Sequence, residues 1–446
     1  MSHYKPYPAY KDSGVEWIGD VPEHWPLLRL ANIGSLMKAN GGNRQDDTDN
    51  GVPCIRYGDL YTIYDLLIRH IGKFISPTAE TDYTDIKYGD ILFAASGETF
   101  EEIGKSAVNL TETYACCGGD VIVLRPQRKI DPVYLAYAAG SSSAQAQKSL
   151  MGKGFTVIHI YGNQLRNLVI AAPSEQEQKL IGAKVESETT RIDTLISKKT
   201  RFIELLQEKR SVLITHAVTK GLDPNVKMKD SGVEWIGKVP EHWKVRPVKH
   251  LYNARLGKMV QPQQKSDGEI LVPYHRAQTV QWERVEYDQV ERMWANPAEV
   301  VAYSLEEGDL LICEGGDVCR AAVFNQVEHE RVIFQNSIHR VRSVDGNHPE
   351  WLLRLMQHVR SSGWIDVLCN KNTIVHFTSE KLASLECPHP PPAEQAKILS
   401  TLRSETARID SLIAKTQRSI DLLKERRAAF TTAAVTGQID LRGETA

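Results

Sequence analysis

The sequence predicts an α+β fold in which one structural unit occurs twice. Two pseudo-symmetric globular domains, each a mixed or barrel-like β-sheet with added helices, are separated by a long intramolecular antiparallel coiled coil. Two repeats carry this prediction. Residues 11–25 recur at 229–243 with fourteen of fifteen positions identical, and the helical segments 177–223 and 394–440 align at a constant offset of 217 residues. Matches of this length do not arise from composition, so the chain contains an internal duplication.

Length and repeats together divide the chain into six segments. A chain of 446 residues exceeds one ordinary hydrophobic core, and the duplication favours an even number of domains. The predicted segments are an N-terminal repeat segment at 1–25, a first globular domain at 26–172, a central spacer helix at 173–221, a linker with the second repeat segment at 222–243, a second globular domain at 244–389 and a C-terminal spacer helix at 390–446.

Each repeat segment reads Glu-Trp-Ile-Gly and then Pro-Glu-His-Trp. Large aromatic residues beside glycine and proline predict a short docked loop whose rings pack on another element. A catalytic role for the pairs Glu16/His24 and Glu234/His242 is the alternative, but neither pair has a nucleophile nearby in the sequence. Packing is therefore the favoured interpretation.

The two globular domains are diverged copies of one scaffold. Short apolar runs such as 91–93, 121–124 and 310–312, separated by glycine turns, predict strands. Helices are predicted after Pro132 and Pro349, where proline fits the first turn. Arg56 and Arg276 follow matching Val-Pro strands. Two copies of one scaffold with different surface residues could recognise two different ligands.

The spacer helices carry a heptad pattern. The predicted seam consists of Val185, Ile192, Leu206 and Leu213 in the first helix and Leu402, Ile409, Leu423 and Phe430 in the second. Pro173 and Pro390 precede the helices, and Gly221 and Gly437 are placed as C-caps. Helices of about 45 residues cannot bury such a stripe in a small domain, so each helix is expected to pair with the other.

Composition excludes several protein classes. With 41% hydrophobic and 25% charged residues the chain is typical of a globular protein, and its net charge of −2 gives no overall basic field. Seven cysteines form no CxxC pair and no zinc-ligand spacing, which fits reduced thiols in the cytoplasm. No apolar run reaches 18 residues. A cytoplasmic protein without a metal site or membrane span is expected.

No motif indicates catalysis. Gly104-Lys105-Ser106 ends like a nucleotide-binding loop, but Gly97 lies two residues too early and two glutamates lie between. The sequence has no Asn/Asp-Pro-Pro-aromatic motif for amino-group methylation and no HExxH motif. His159 and His376 occupy matching positions in strand-like runs and are interpreted as structural. No catalytic residue is predicted.

Polar and basic residues in glycine-rich loops form the candidate DNA-facing set. Arg and Lys hydrogen-bond guanine edges, Asn and Gln hydrogen-bond adenine edges, and all four can hold phosphates. A solvated loop is the alternative for each residue alone. The set comprises Lys38, Asn43, Arg44, Arg56, Lys105 and Lys153 in the first domain and Lys258, Gln261, Arg276, Gln278, Arg320, Lys371 and Asn372 in the second.

The doubled Glu-Trp-Ile-Gly…Pro-Glu-His-Trp segments, the doubled Arg-Ile-Asp helices and the two variable domains between them resemble one family, over essentially the whole chain. They are similar to the specificity subunits of type I restriction–modification systems. The resemblance implies two target-recognition domains, each reading one half of a bipartite asymmetric site in double-stranded DNA. It also implies paired helices that dock two methyltransferase subunits.

The resemblance further implies restriction motor–nuclease subunits as partners. S-adenosylmethionine, ATP and Mg²⁺ belong to the partner subunits, which methylate adenine N6 on flipped bases, and no cofactor is expected in this chain. Two other classes remain as alternatives: a coiled-coil scaffold that binds only proteins, and a nucleotide-binding enzyme that uses the loop at Lys105. DNA preference of the first domain and nucleotide binding by the chain would discriminate them.

Overall fold

The computed structural model describes residues 4–288, 290–325, 330–369 and 376–443. The chain divides into two units. Unit 1 joins residues 1–200 to residues 417–446, and unit 2 consists of residues 201–416. Each long spacer helix therefore contributes one half to each unit.

The first half of the chain forms sixteen strands and five short α-helices before the first spacer helix, within the described residues. The strands are β1 Tyr10–Asp12, β2 Asp20–Pro22, β3 Leu27–Arg29, β4 Gly34–Lys38, β5 Asp47–Thr48, β6 Val52–Ile55, β7 Leu67–Ile68, β8 Phe74–Ile75, β9 Thr84–Ile86, β10 Ile91–Ala94, β11 Ser96–Gly97, β12 Ser106–Asn109, β13 Ala115–Cys117, β14 Val121–Pro126, β15 Ile158–His159 and β16 Val169–Ala171. The helices are α1 Leu30–Ile33, α2 Tyr57–Thr62, α3 Pro132–Gly140, α4 Ser142–Met151, α5 Gly162–Leu165 and the spacer helix α6 Glu175–Lys220.

The second half repeats this order with fewer strands in its described part. The strands are β17 Met228–Asp230, β18 Lys238–Pro240, β19 Lys244–Pro247, β20 Tyr252–Leu256, β21 Ile270–His275, β22 Val280–Gln281, β23 Arg284–Val285, β24 Glu291–Ala295, β25 Leu310–Cys313, β26 Ala321–Val323, β27 Ile333–Phe334, β28 Ile338–Ser343 and β29 Glu386–His389. The helices are α7 Pro297–Tyr303, α8 Pro349–Ser361, α9 Trp364–Leu368, α10 Ser379–Ser384 and the spacer helix α11 Pro392–Val435.

Two five-stranded sheets form the centre of unit 1. Their strand orders are β4-β14-β10-β12-β7 and β5-β8-β6-β13-β9. The pairs β7–β12 and β6–β13 are parallel, and the other pairs within these two sheets are antiparallel. Every residue of β10 and β12 is buried. Strands covered on both faces read as continuous apolar runs, which is why residues 91–94 were recognisable in the sequence.

Unit 2 contains a four-stranded sheet, β20-β28-β25-β26, and a three-stranded sheet, β24-β21-β27. The four-stranded sheet is antiparallel, whereas β27 joins β21 in parallel. All of β25 is buried. Helix α8 presents Trp351, Leu352 and Leu355 to the core of this unit. Mixed sheets with added helices thus occur in both units, as the sequence predicts.

The repeat segments dock onto the N-terminal ends of the spacer helices. Trp25 and Trp243 are fully buried. In unit 1 the Trp25 indole donates to Glu177 Oε1 at 3.4 Å, and His24 Nε2 lies 3.0 Å from the same oxygen. In unit 2 Trp243 donates to Glu394 Oε1 at 3.1 Å. These contacts show packing and anchoring at the positions for which catalysis was the alternative.

Glycine ends both spacer helices. Helix α6 ends at Lys220 and α11 at Val435. Gly221 and Gly437 have φ of +75°, a left-handed conformation that favours glycine and turns the chain out of a helix. The C-caps read from the sequence therefore mark these turns, within two residues of each helix end.

The spacer helices pair antiparallel in each unit. In unit 1 Arg427 contacts Asp193, and Arg442, which lies beyond the end of α11, has its Nη1 3.8 Å from Glu177 Oε1. In unit 2 Arg210 Nε lies 3.0 Å from Asp410 Oδ1, and Gly221 lies beside Glu394. The eight seam positions are mostly buried: Val185, Ile192, Leu206, Leu402, Ile409 and Phe430 are buried, and Leu213 and Leu423 are half-buried.

Candidate nucleic-acid interface

A cleft of about 960 Å³, named the basic cleft for its four cationic side chains, opens on the globular domain of unit 1, and Asp47, Asp59 and Asp120 also line it. Four cationic side chains line it, although they lie in separate parts of the sequence. The lining cations are Lys38, Arg44, Arg56 and Lys73. Lys38 ends strand β4, Arg44 begins a short 3₁₀ helix, Arg56 follows strand β6 and Lys73 precedes β8. The fold thus brings three predicted DNA-facing residues, and Lys73 in addition, to one surface.

Arg56 holds the wall of this cleft in place. Its Nη2 donates to Asn43 O at 2.8 Å and to the Tyr83 hydroxyl at 3.2 Å, and it pairs with Asp47. Burial and the hydrogen bond to Asp46 raise the pKa of Tyr83, so the hydroxyl stays protonated. The Arg56 side chain is only 17% exposed. The Arg56 side chain therefore stabilises the loop that contains Asn43.

The side chains of Lys38 and Arg44 are exposed to solvent. Within the described part of the chain, neither side chain has a hydrogen-bond or ion-pair partner. Lys73, in contrast, forms an ion pair with Asp59, which also lines the cleft. A free ammonium and a free guanidinium at the mouth of a cleft are suited to bind phosphate or a guanine edge.

Glycines let two loops approach closely at the floor of the cleft. Gly119 N donates to Gly41 O at 2.9 Å. A Cβ at Gly119 would meet that oxygen at 2.6 Å, and one at Gly41 would meet the Tyr83 ring at 2.8 Å. The two glycine pairs at 41–42 and 118–119 are the sequence signal that could have located this floor.

A second cleft of about 470 Å³ shares Tyr57, Gly58 and Thr62 with the first. Glu98 and Glu102 also line it, so its electrostatic character differs from that of the basic cleft. Lys105 lies close by: its Nζ donates to Tyr61 O at 3.4 Å and lies 6.0 Å from the Tyr61 ring centre. Lys105 is therefore engaged with the domain itself.

The Gly-Lys-Ser sequence at 104–106 does not form a nucleotide-binding loop. A P-loop leads into a helix whose N-terminal amides hold phosphate, but here Ser106 begins strand β12. The Gly104 carbonyl accepts from Lys148 Nζ at 2.8 Å. The backbone that should cradle phosphate is thus occupied by contacts within the domain.

In unit 2, Lys258 and Gln261 differ from the expectation of exposed, DNA-facing side chains. Lys258 is 8% exposed and lies 2.8 Å from Glu299 Oε1, and Gln261 is 6% exposed and donates to Glu269 at 2.8 Å. A buried ammonium requires a counter-charge, and Glu299 supplies it. These two residues fix a loop of the domain.

The remaining predicted residues of unit 2 fall into three groups: those paired within the domain, those exposed and those outside the described residues. Arg276 Nη1 lies 2.7 Å from Glu291 Oε1, and Arg320 Nη2 donates to Ala277 O at 2.7 Å. Gln278 is exposed, as is Lys153 in unit 1. Lys371 and Asn372 lie outside the described residues.

Arg56 and Arg276 are equivalent in the two domains. Each follows a strand whose last two residues are buried and precedes a helical turn whose third residue, Asp59 or Thr279, accepts from the arginine amide. Each also pairs with a carboxylate of its own domain. The duplicated framework is therefore retained while its surroundings differ.

Comparison with known proteins identifies the family. The model of the type I restriction modification DNA specificity domain matches residues 22–205 and again 240–421, which together exceed half of the chain. The chain belongs to the type I restriction–modification DNA specificity family. The doubled match agrees with the doubled fold of the specificity domains.

Individual relatives of this specificity family are distant. A Methanocaldococcus jannaschii protein assigned as the MjaX type I restriction enzyme specificity subunit is 29% identical over 235 residues, 51% of this chain and 52% of that protein. The Escherichia coli K12 EcoKI specificity subunit is 21% identical over 351 residues, 75% of this chain and 71% of that protein. This chain thus spans about half the length of the Methanocaldococcus relative.

A solved structure shares the fold of this chain. A chain solved in a study of complex assembly and conformational transition of the type I R-M system superposes with a TM-score of 0.72. It is 16% identical and covers 95% of this chain and 99% of its own length. The predicted fold class, with two α+β domains and paired spacer helices, is confirmed.

Residues 4–288, 290–325, 330–369 and 376–443 contain no group of three or more His, Cys, Asp or Glu side chains that could hold a metal ion. In the same part of the chain, no helix combines the length and hydrophobicity that a membrane span requires.

Proposed function

We propose that this chain is the DNA-recognition subunit of a type I restriction–modification complex. Residues 26–172 and 244–389 act as target-recognition domains, and each reads one half of a bipartite asymmetric site in double-stranded DNA. The chain acts in the cytoplasm and supplies specificity, while partner subunits carry out methylation and restriction. S-adenosylmethionine, ATP and Mg²⁺ bind those partners.

The basic cleft of unit 1 is the observation that carries this proposal. Lys38 and Arg44 offer two exposed cations beside a framework fixed by Arg56. Such cations hold phosphates and hydrogen-bond guanine edges in the major groove. The equivalent Arg276 stands in a different setting in unit 2, so the two domains present different chemistry to DNA. The two domains are therefore expected to read different half-sites.

The spacer helices supply equivalent docking positions for two methyltransferase subunits. Leu195 and Leu412 are exposed at an offset of 217 residues, and so are Leu205 and Leu422. Each unit exposes one leucine of each pair, Leu195 with Leu422 in unit 1 and Leu412 with Leu205 in unit 2. Exposed apolar side chains at repeated positions favour the same partner bound twice.

The test is genome-wide mapping of N6-methyladenine in cells that express this chain with its methyltransferase subunits. The wild-type chain should produce one two-part motif with a fixed unread gap. Lys38→Ala together with Arg44→Ala should relax or abolish one half of the motif and leave the other half intact. The matched control is Lys87→Ala with Arg166→Ala, which removes two exposed cations that line neither cleft.

The alternatives predict other outcomes. A protein-binding scaffold would leave methylation unchanged when the gene is removed, although the partner subunits are present. A nucleotide-binding enzyme would bind ATP as the isolated chain. Loss of both halves of the motif in the control variant would show that general charge, and not the cleft, governs recognition.

A further inference from the structure

The side chain of Phe155 is completely exposed, at 104% of its reference area. It lies at the tip of a short loop between helix α4 and strand β15, and its neighbour Val157 is also exposed. An aromatic ring surrounded by water does not pack in its own domain. Together with Val157 it makes the tip of the loop apolar, and apolar surface patches can mark contact with another molecule.

The base of the Phe155 loop is fixed by the domain. Lys153 and His159 exchange two backbone hydrogen bonds of 2.8 and 2.7 Å, which close the loop. His159 Nδ1 lies 2.9 Å from Ser96 Oγ, and its ring stacks on Tyr161 at 6.4 Å. The loop therefore presents Phe155 from a base held in place on both sides.

Gly154 determines the shape of the tip. Its φ is +137°, and a Cβ at this position would meet Val157 O at 2.0 Å. Only glycine fits this backbone without displacing the loop. The sequence thus specifies a tight turn that leaves the neighbouring ring in solvent.

The loop borders the proposed DNA-binding surface. Val157 lines the smaller cleft of unit 1, and that cleft shares Tyr57, Gly58 and Thr62 with the basic cleft. Glu98 and Glu102 in the smaller cleft repel phosphates, so the phosphate backbone is better held by the cations of the basic cleft. The apolar surface beside Val157 is therefore better suited to contact bases than phosphates.

We infer that Phe155 is a wedge that inserts between neighbouring base pairs of the half-site read by unit 1. Apolar side chains inserted into a base step unstack it and kink the duplex, and stacking of a base on an aromatic ring contributes about 1–3 kcal/mol. This inference rests on the proposed function, because it places the ring against the DNA that the basic cleft holds.

The test uses the chain assembled with its methyltransferase subunits and duplexes that carry 2-aminopurine at successive positions of the mapped half-site. Wild-type complex should raise 2-aminopurine fluorescence at one base step. Phe155→Ala should abolish that rise and weaken binding about 5- to 150-fold, the fold-change that corresponds to 1–3 kcal/mol. Phe155→Trp should retain both effects. Tyr88→Ala, which removes another exposed aromatic residue of unit 1, should change neither.

Four outcomes would overturn the wedge. Unchanged fluorescence and affinity in Phe155→Ala would show that the ring does not enter the duplex. Loss of methyltransferase binding in that variant would assign the ring to a protein partner. Site-preferring binding without a fluorescence rise in the wild-type complex would reject the wedge and leave DNA recognition standing, whereas absence of any site preference would overturn both proposals.

Discussion

Arg427 in the second spacer helix reaches Asp193 in the first, with Nε and Oδ1 2.9 Å apart. The same guanidinium also pairs with Asp65 of the globular domain in unit 1. Arg210 repeats this arrangement in unit 2, where it contacts Asp410 and Glu283. Each arginine therefore connects one helix, its partner helix and a globular domain within its own unit.

We expect Arg427→Ala to lower the free energy of unfolding by about 1 kcal/mol, because both carboxylates remain well exposed and water replaces part of the interaction. A double-mutant cycle with Asp193→Ala, measured by urea denaturation, isolates the pairwise coupling. The matched cycle is Arg210→Ala with Asp410→Ala. Fully additive losses in both cycles would show that the arginines contribute packing alone.

Glu177→Ala should destabilise unit 1 by about 1–3 kcal/mol, since it leaves the buried indole N–H of Trp25 without an acceptor. Glu394→Ala, which uncouples Trp243, is the counterpart in unit 2. Tryptophan fluorescence during denaturation measures both losses. An unchanged midpoint in either variant would mean that the indole finds another acceptor.

Glu177 should also make stability depend on pH. Burial opposes its ionisation, but hydrogen bonds from His24, Ser174 and Trp25 hold its pKa below the ordinary value. A depressed carboxylate pKa contributes stability above the unfolded pKa of about 4.3, and this is lost as pH falls through the folded pKa. The advantage of wild type over Glu177→Gln should therefore shrink between pH 6 and pH 3. A constant difference in melting temperature would contradict this.

Lys148 predicts a pH dependence in the alkaline range. The side chain is buried, and burial lowers its pKa to about 7. In the unfolded chain the lysine pKa is about 10.4. Between pH 7 and pH 10 the unfolded chain therefore carries a proton on Lys148 that the folded chain lacks. The free energy of unfolding rises with pH across this range for that reason. The free energy of unfolding of the wild type, relative to that of Lys148→Met, should increase by at most about 1.4 kcal/mol per pH unit across this range. Parallel melting curves across this range would exclude burial of the neutral amine.

The two C-cap glycines should respond differently to substitution. Both have φ of +75°, so alanine is strained at either position by about 1–2 kcal/mol. At Gly437 a Cβ would also meet the Pro22 ring at 2.3 Å, whereas at Gly221 the nearest atom is 3.3 Å away on Trp243. Thermal denaturation should therefore show the larger loss for Gly437→Ala. Equal losses would mean that the Pro22 loop shifts without cost.

The duplicated elements were predictable because local chemistry specifies them. The buried strand at 91–94 and the capping glycines Gly221 and Gly437 carry signals within a few residues of themselves. The clefts depend instead on distant partners. Lys258 could not be recognised as buried because its counter-charge Glu299 lies 41 residues away. Phe155 reads as a core residue in any hydrophobicity pattern, and only its loop geometry places the ring in water.

Unit 1 is assembled from two separated stretches of chain, and this determines the order of its folding. Phe430, Ala434 and Val435 belong to the same core as Trp25 and Val185. A ribosome releases unit 2 as one uninterrupted segment, but the first unit remains without its second helix until residues beyond 417 have emerged. A nascent chain paused before that point carries an uncovered apolar stripe on helix α6. The core of unit 1 can therefore be completed only after all of unit 2 has been synthesised.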